Sequence, residues 1–240
     1  VLEDLALRSA TFEGAAKLLL VLAGAENETH GNNARGVFTS LFHWQHPEVS
    51  ASLASRLNVL RDGAKSPSPT QRKIIATACG EAFKNVVIMH HHARGPTIPE
   101  RPYRPETWEE VRQYATGIFA LLNTLPNDQD VEVREAAINE SLDSFRTFVK
   151  ISLTSEGFHT LGKNAFEALE EIGRTARSAH LRSKVVSELE LTLSDLTETQ
   201  ATKASPAAKE AIERAKTLLE KLTSTEHRDR LWRWVGPRSW

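Results

Sequence analysis

Gly157-Phe158-His159-Thr160-Leu161-Gly162-Lys163-Asn164 carries the GxxxxGK spacing of a phosphate-binding loop. In such a loop the glycines let backbone N–H groups wrap a phosphate, the lysine neutralises it, and a following Ser or Thr ligates Mg²⁺. Here Asn164 stands where the hydroxyl is required, the residues before Gly157 make a poor strand, and no apolar strand ending in Asp follows. The segment reads instead as helix, with Gly162 at a packing contact or turn. A second chemistry is metal binding. His43 and His46 have HxxH spacing, and His90, His91 and His92 are consecutive. Histidines at i and i+3 share a helix face and can chelate a metal. Pro47 follows His46, so this pair is expected at a helix end. The triple histidine also ends a helix, where partly protonated imidazole complements the dipole, and no Asp or Glu lies beside it at ligand spacing. No metal ligand is assigned; a metal-dependent helical-bundle enzyme using these histidines is the competing reading.

Nucleophilic catalysis has no anchor. Cys79 lacks a neighbouring base in sequence, and GxSxG is absent. Glu109-Glu110 and Glu170-Glu171 are adjacent acids, which on a helix point apart and mark a solvated face. The Asn-x-Ser/Thr matches at Asn27 and Asn139 fall in helical stretches of a chain with no secretion signal. Trp232, Trp234 and Trp240, interleaved with Arg228, Arg230, Arg233 and Arg238, could stack on nucleic-acid bases. The apolar face of Leu231, Trp234 and Val235 argues more strongly for a packing surface. No catalytic residue and no cofactor are expected.

Bulk properties agree. The 240 residues are 40% apolar and 25% charged, with 30 basic against 31 acidic side chains and a net charge of −1. That balance argues against a nucleic-acid partner. A single cysteine excludes an intrachain disulfide and suits a reducing, cytoplasmic compartment. The longest apolar run, Leu18 to Ala23, is too short to span a bilayer. The chain starts at Val1, inside a helical pattern, and its one methionine is Met89; a piece of a longer chain is the expectation.

The elements that would position any site are helices. Phe12 to Leu19, then Ala34, Val37, Phe38, Leu41 and Phe42, recur at spacings of three and four. Pro47 suits a first helical turn, with Val49, Leu53, Leu57 and Leu60 on one face. Ser68-Pro69 opens a helix carried to about Met89. Residues 93–105, with Pro96, Pro99, Pro102 and Pro105, break the pattern. Thr107-Trp108-Glu109-Glu110 reads as a capping box, and further helices are expected at about 129–150, 155–176, 179–197, 206–223 and 225–235. Some ten helices give an all-α fold, either a solenoid of antiparallel helix pairs or an irregular bundle. The segments are 1–92, helical repeats; 93–105, a Pro-rich loop; and 106–240, helical repeats, in one array.

Asp128-Gln129-Asp130-Val131-Glu132-Val133-Arg134-Glu135-Ala136-Ala137 resembles the inner-helix signature of HEAT-type repeats. There an Asp caps the helix, the Arg can reach the neighbouring repeat's turn, and small residues allow close packing. Glu26, Asn27, Glu28, His30, Asn32 and Asn33 are a dense polar run that reads either as a lateral-contact or helix-junction network or as a solvated turn. Phe12 to Leu22, Ala25 to Thr29, Asn32 to Phe38, Leu41-Phe42 and the later Tyr103 to Trp108 with Tyr114 resemble the helical C-terminal regions of large bacterial STAND-type NTPases. That resemblance implies a sensor scaffold, with nucleotide-binding and effector modules elsewhere in the parent protein and several relatives acting in anti-phage defence. It implies a protein partner, or other domains of the parent chain, and no catalytic residue in this segment.

Overall fold

The computed structural model describes residues 1–26, 33–84, 101–154, 156–176, 178–198 and 205–223. Among them all regular structure is helical: α1 Leu2–Ala6, α2 Phe12–Ala25, α3 Ala34–Ser40, α4 Leu53–Gly63, α5 Pro69–Glu81, α6 Trp108–Thr124, α7 Val131–Ser152, α8 His159–Thr175, α9 Ala179–Glu198 and α10 Pro206–Leu222. The protein is all-α. Short 3₁₀ turns lie at Leu125–Asn127 and Glu156–Phe158.

Helix starts follow side-chain caps, which satisfy N–H groups that have no partner within the helix. Asn33 accepts from Gly36 N at 2.7 Å, Ser52 from Ser55 N at 3.1 Å and Ser68 from Gln71 N at 3.4 Å. Thr107 Oγ1 accepts from Glu110 N at 3.3 Å, and Asp130 Oδ1 from Glu132 N at 2.9 Å. Ser178 Oγ accepts from Leu181 N at 3.1 Å. Pro206 occupies the first turn of α10.

Two expected boundaries move. Pro47 starts no helix; residues 41–52 are turns and bends, and α4 begins only at Leu53. The cause is that side chains take up the backbone groups of this stretch. His46 Nδ1 accepts from Glu48 N at 3.1 Å and Val49 N at 3.2 Å, while Arg56 collects carbonyls from it. Helix α5 closes at Glu81 rather than near Met89, because Trp44 N donates to Ala82 O at 3.0 Å and His43 Nε2 meets Lys84 O at 2.7 Å. Residues 85–100, the 225–235 helix and the Trp-rich end lie outside the described residues.

The chain divides into two compact units, Val1–Ser141 and Leu142–Trp240, with the boundary inside α7. In the first unit α2 packs on α4 and α4 on α6, while α3 packs on α5. Its core holds Phe12, Phe38, Phe42, Leu60, Ile75 and Tyr114, all nearly fully buried. The α5 helix is tied to the start of α7 by Arg72–Asp128 (2.6 and 2.8 Å), Lys73–Glu132 (3.0 Å) and Lys84–Glu140 (3.4 Å). Arg134, expected to reach a neighbouring turn, instead donates to Asp128 O and Gln129 O of its own turn, each at 2.8 Å. Arg72 makes the bridge between helices in its place.

In the second unit α10 packs on α8 and α9, and α8 on α9. Phe145 of α7 meets Phe166 of α8 edge-on, 5.1 Å between centroids, and Arg214 lies 5.7 Å from the Phe166 centroid. Asp195 of α9 pairs with Lys150 at 2.7 Å and Arg146 at 3.6 Å.

Candidate functional site

A groove of about 570 Å³ lies between α4 and α6 in the first unit. Two periodic helices meet here because one lacks a side chain. A Cβ on Gly117 would lie 2.3 Å from Leu57 Cδ2, so a side chain here would force Leu57 to move out of its contact with α6. Buried Leu53, Leu57 and Gly117 floor the groove; exposed Asn58, Arg61, Gln113 and Thr116 edge it. Ala54 and Ala120, both exposed, leave room above the floor.

A second cleft, about 280 Å³, is walled by Trp44, Tyr103, Trp108 and Val111 with Arg104 and Glu106. Trp108 is 61% exposed, and Trp44 stacks on Phe83 at 6.2 Å. Tyr103 lines both clefts. Its N–H donates to Val49 O at 2.9 Å and its hydroxyl donates to the Glu110 carboxylate, so residues 101–107 run between the two. Burial, then the bond to Glu110, pushes the Tyr103 phenol up to about 12.

Beneath the same segment lies Arg56, a fully buried guanidinium. It donates from Nε to Ala51 O at 3.0 Å, from Nη1 to His43 O at 2.7 Å and from Nη2 to Val49 O at 3.0 Å. Desolvation pushes it down to about 10, against a small opposing effect of Tyr114. Tyr114 donates to Phe42 O at 2.5 Å, fixing the same stretch from α6. These groups shape the floor and wall of the site; each is engaged with backbone.

The residues that sequence spacing singled out for chemistry fall elsewhere. The GxxxxGK segment is helical: Gly157 lies in the 3₁₀ turn, and Gly162 and Lys163 lie inside α8. A Cβ on Gly162 would come 2.2 Å from Ser152 Oγ, so this glycine serves close packing of α8 on the end of α7. A small cleft of about 200 Å³ beside it is lined by His159, Lys163 and Arg214 but also by Glu210. His43 and His46 lie beyond the end of α3 and share no helix face. His43 Nδ1 accepts from Gln45 N at 3.3 Å while Nε2 faces Lys84 O, which fixes the neutral Nε2–H tautomer; burial lowers its pKa. His46 Nδ1 is taken up by two backbone N–H groups. His90, His91 and His92 lie outside the described residues, among which no group of three His, Cys, Asp or Glu side chains could hold a metal ion.

Cys79 is buried, and burial pushes its thiol far up, with Glu140 adding to the effect. The paired acids diverge as expected. Glu109 binds Arg112 while Glu110 takes Tyr103; Glu171 binds Arg174 while Glu170 pairs with Lys221 at 3.2 Å. At the polar junction, Glu26 accepts from Ala34 N and, at 3.2 Å, from Arg35 N, and Asn33 caps α3; residues 27–32 lie outside the described set. No described helix is long and apolar enough to cross a membrane.

Sequence reading missed the groove residues Asn58, Arg61, Gln113 and Thr116. The signal that could have found them is Gly117, a glycine inside an otherwise strong helical run. Comparison with known proteins is equally silent on identity: no family model, no curated protein and no solved structure matches this chain.

Proposed function

We propose that this chain is a non-catalytic recognition scaffold, a stack of helix pairs whose α4–α6 groove takes a segment of a protein partner. The observation that carries this reading is the groove itself: an apolar floor of Leu53, Leu57 and Gly117 between polar edges, mounted on two packed helices. Pockets of this make-up, a hydrophobic base with a few orienting polar groups, are those that proteins use for ligands. Two of the charged side chains that line it are tied locally, Arg112 to Glu109 and Glu110 to Tyr103, rather than converging on a reacting point.

The row α2–α4–α6, the packing of α3 on α5, and the ties from α5 to α7 support a solenoid of antiparallel pairs in the first unit. The resemblance of residues 12–42 and 103–114 to helical regions of STAND-type NTPases supports a place as the sensor portion of a larger signalling or defence protein in the cytoplasm.

The test is panning of a random peptide library on the immobilised chain, with counter-selection on Ala54→Trp/Ala120→Trp. Both alanines are exposed in the groove, so indole rings fill it without disturbing the core. Enrichment of peptides that bind the native chain about tenfold or more tightly than the filled variant supports the reading. Peptides that bind both equally, or no enrichment at all, refute it.

A further inference from the structure

The two tryptophans among the described residues, Trp44 and Trp108, line one cleft, the concavity of about 280 Å³ whose apolar surface Tyr103, Pro105 and Val111 complete. Trp108 opens α6 and is 61% exposed, although the buried face of that helix begins only at Val111. The other two rings are fixed. Trp44 stacks on Phe83, and Tyr103 is held at its N–H by Val49 O and at its hydroxyl by Glu110. Flat apolar walls that are already in place cost a ligand little ordering. Two charged side chains also line the cleft. Arg104 and Glu106 are exposed, and neither pairs with a described residue.

These groups narrow the occupant. A lone phosphate is opposed by Glu106, and a lone cation over the rings is opposed by Arg104. Strand addition needs a run of open backbone N–H groups. Those of Trp44, Gln45 and Tyr103 are bound to Ala82 O, His43 Nδ1 and Val49 O at 3.0, 3.3 and 2.9 Å, and Pro105 has none. An amphipathic helix needs a groove long enough for anchors at i, i+4 and i+7, about 10 Å; this cleft takes only a short stretch of chain. A polyproline II segment escapes each of these limits. Its backbone stays solvated without internal hydrogen bonds, and its proline rings pack on aromatic walls. Its carbonyls are its main polar groups, and the exposed Gln45 amide in the lining can donate to one. Lacking a hydrogen-bond ladder, such a segment takes its direction from charge, and Arg104 and Glu106 supply one charge of each sign.

The geometry points to this cleft as a docking site for a proline-rich segment of a protein partner, bound as a polyproline II helix with an acidic residue at Arg104 and a basic residue at Glu106. The site is separate from the α4–α6 groove, although Tyr103 lines both. Fluorescence anisotropy of the full chain with the labelled peptides RPPLPPE and EPPLPPR tests it. One order binds at least about threefold more tightly than the other, and alanine in place of the prolines weakens the better peptide about tenfold or more. Arg104→Glu/Glu106→Arg exchanges the preference between the two orders. Trp108→Ala weakens both about fivefold or more, and because Trp108 is exposed, far-UV circular dichroism of this variant matches the native chain. Ala54→Trp/Ala120→Trp, which fills the other groove, leaves the affinity unchanged, so failure of that groove and failure of this cleft are told apart. No binding of either peptide up to about 1 mM overturns the inference. So do equal affinities for the two orders, a preference that survives the charge exchange, binding indifferent to Trp108 or to the prolines, and binding lost when the α4–α6 groove is filled.

Discussion

Replacing Arg56 by methionine tests what holds residues 41–52, the stretch that backs both clefts. The guanidinium is fully buried and donates to the carbonyls of His43, Val49 and Ala51. Charge-assisted bonds of this kind contribute about 1.5–3 kcal/mol each. Against them stands the cost of burying the charge, which pushes Arg56 down to about 10 from 12.5 and corresponds to about 3 kcal/mol. Methionine removes that cost and fills most of the volume, but it takes the guanidinium bond from three carbonyls; His43 O and Val49 O keep the N–H groups of His46 and Tyr103, while Ala51 O loses the donor it has from Arg56. The net expectation is a loss of about 2–5 kcal/mol, read as a urea midpoint lower by about 1–2 M. Arg56→Lys should fall between, because an ammonium lacks the planar fork that reaches three acceptors at once. Urea unfolding followed by far-UV circular dichroism gives the stability, and limited proteolysis across residues 43–50 reports the stretch itself. A methionine variant within about 0.5 kcal/mol of native stability, with the stretch still protected, would refute the reasoning.

Three further outcomes follow from the same geometry. Asp128→Asn and Arg72→Ala should each cost about 1–2 kcal/mol and couple in a double-mutant cycle, since this two-bond pair is mostly shielded from solvent. The hydrogen bond from Arg72 holds the Asp128 carboxyl below its ordinary value, so its contribution is complete above the unfolded carboxylate pKa near 4 and is lost as pH falls through the lower folded value; unfolding measured from pH 7 downward checks the slope. Gly162→Ala should destabilise the second unit by about 1–3 kcal/mol, and Ser152→Gly, by removing the atom it strikes, should restore part of that in thermal unfolding; equal losses that simply add would contradict the contact. His43 is held neutral by burial, so the unfolded chain binds its proton first and stability should decline as pH drops below about 6.5, a slope that His43→Gln flattens in urea titrations.

Helix content was legible because the apolar residues repeat at 3.6 and because caps announce themselves. Asn33, Ser68, Thr107 and Asp130 each stand where the structure uses them. What failed was tertiary. Pro47 has the right chemistry for a first turn, yet the N–H groups after it go to a histidine ring and the carbonyls around it go to Arg56. Arg56 lies three residues after Leu53 and one before Leu57, on the buried side of α4, and a charge at such a position is the trace of that arrangement. The groove went unread, since it depends on Leu57 meeting Gly117, sixty residues along the chain, and Gly117 alone does not say which helix it meets. The GxxxxGK segment was legible as helix with Gly162 at a packing contact, and that is where the structure has it: the glycine packs against Ser152 of α7.

The ties between α5 and α7 carry a consequence beyond their energies. Every basic partner, Arg72, Lys73 and Lys84, comes from α5 or its end, and every acidic partner, Asp128, Glu132 and Glu140, comes from α7 or its leading turn. Of these pairs only Lys73–Glu132 is well exposed, and such a pair adds little to stability. Segregated by sign, however, the pairs together make each helix a poor neighbour for its own kind: α5 against a second α5 would set positive on positive. The two helices therefore carry an address as well as an adhesive. Specificity of that sort rests more on what like charges forbid than on what opposite charges contribute.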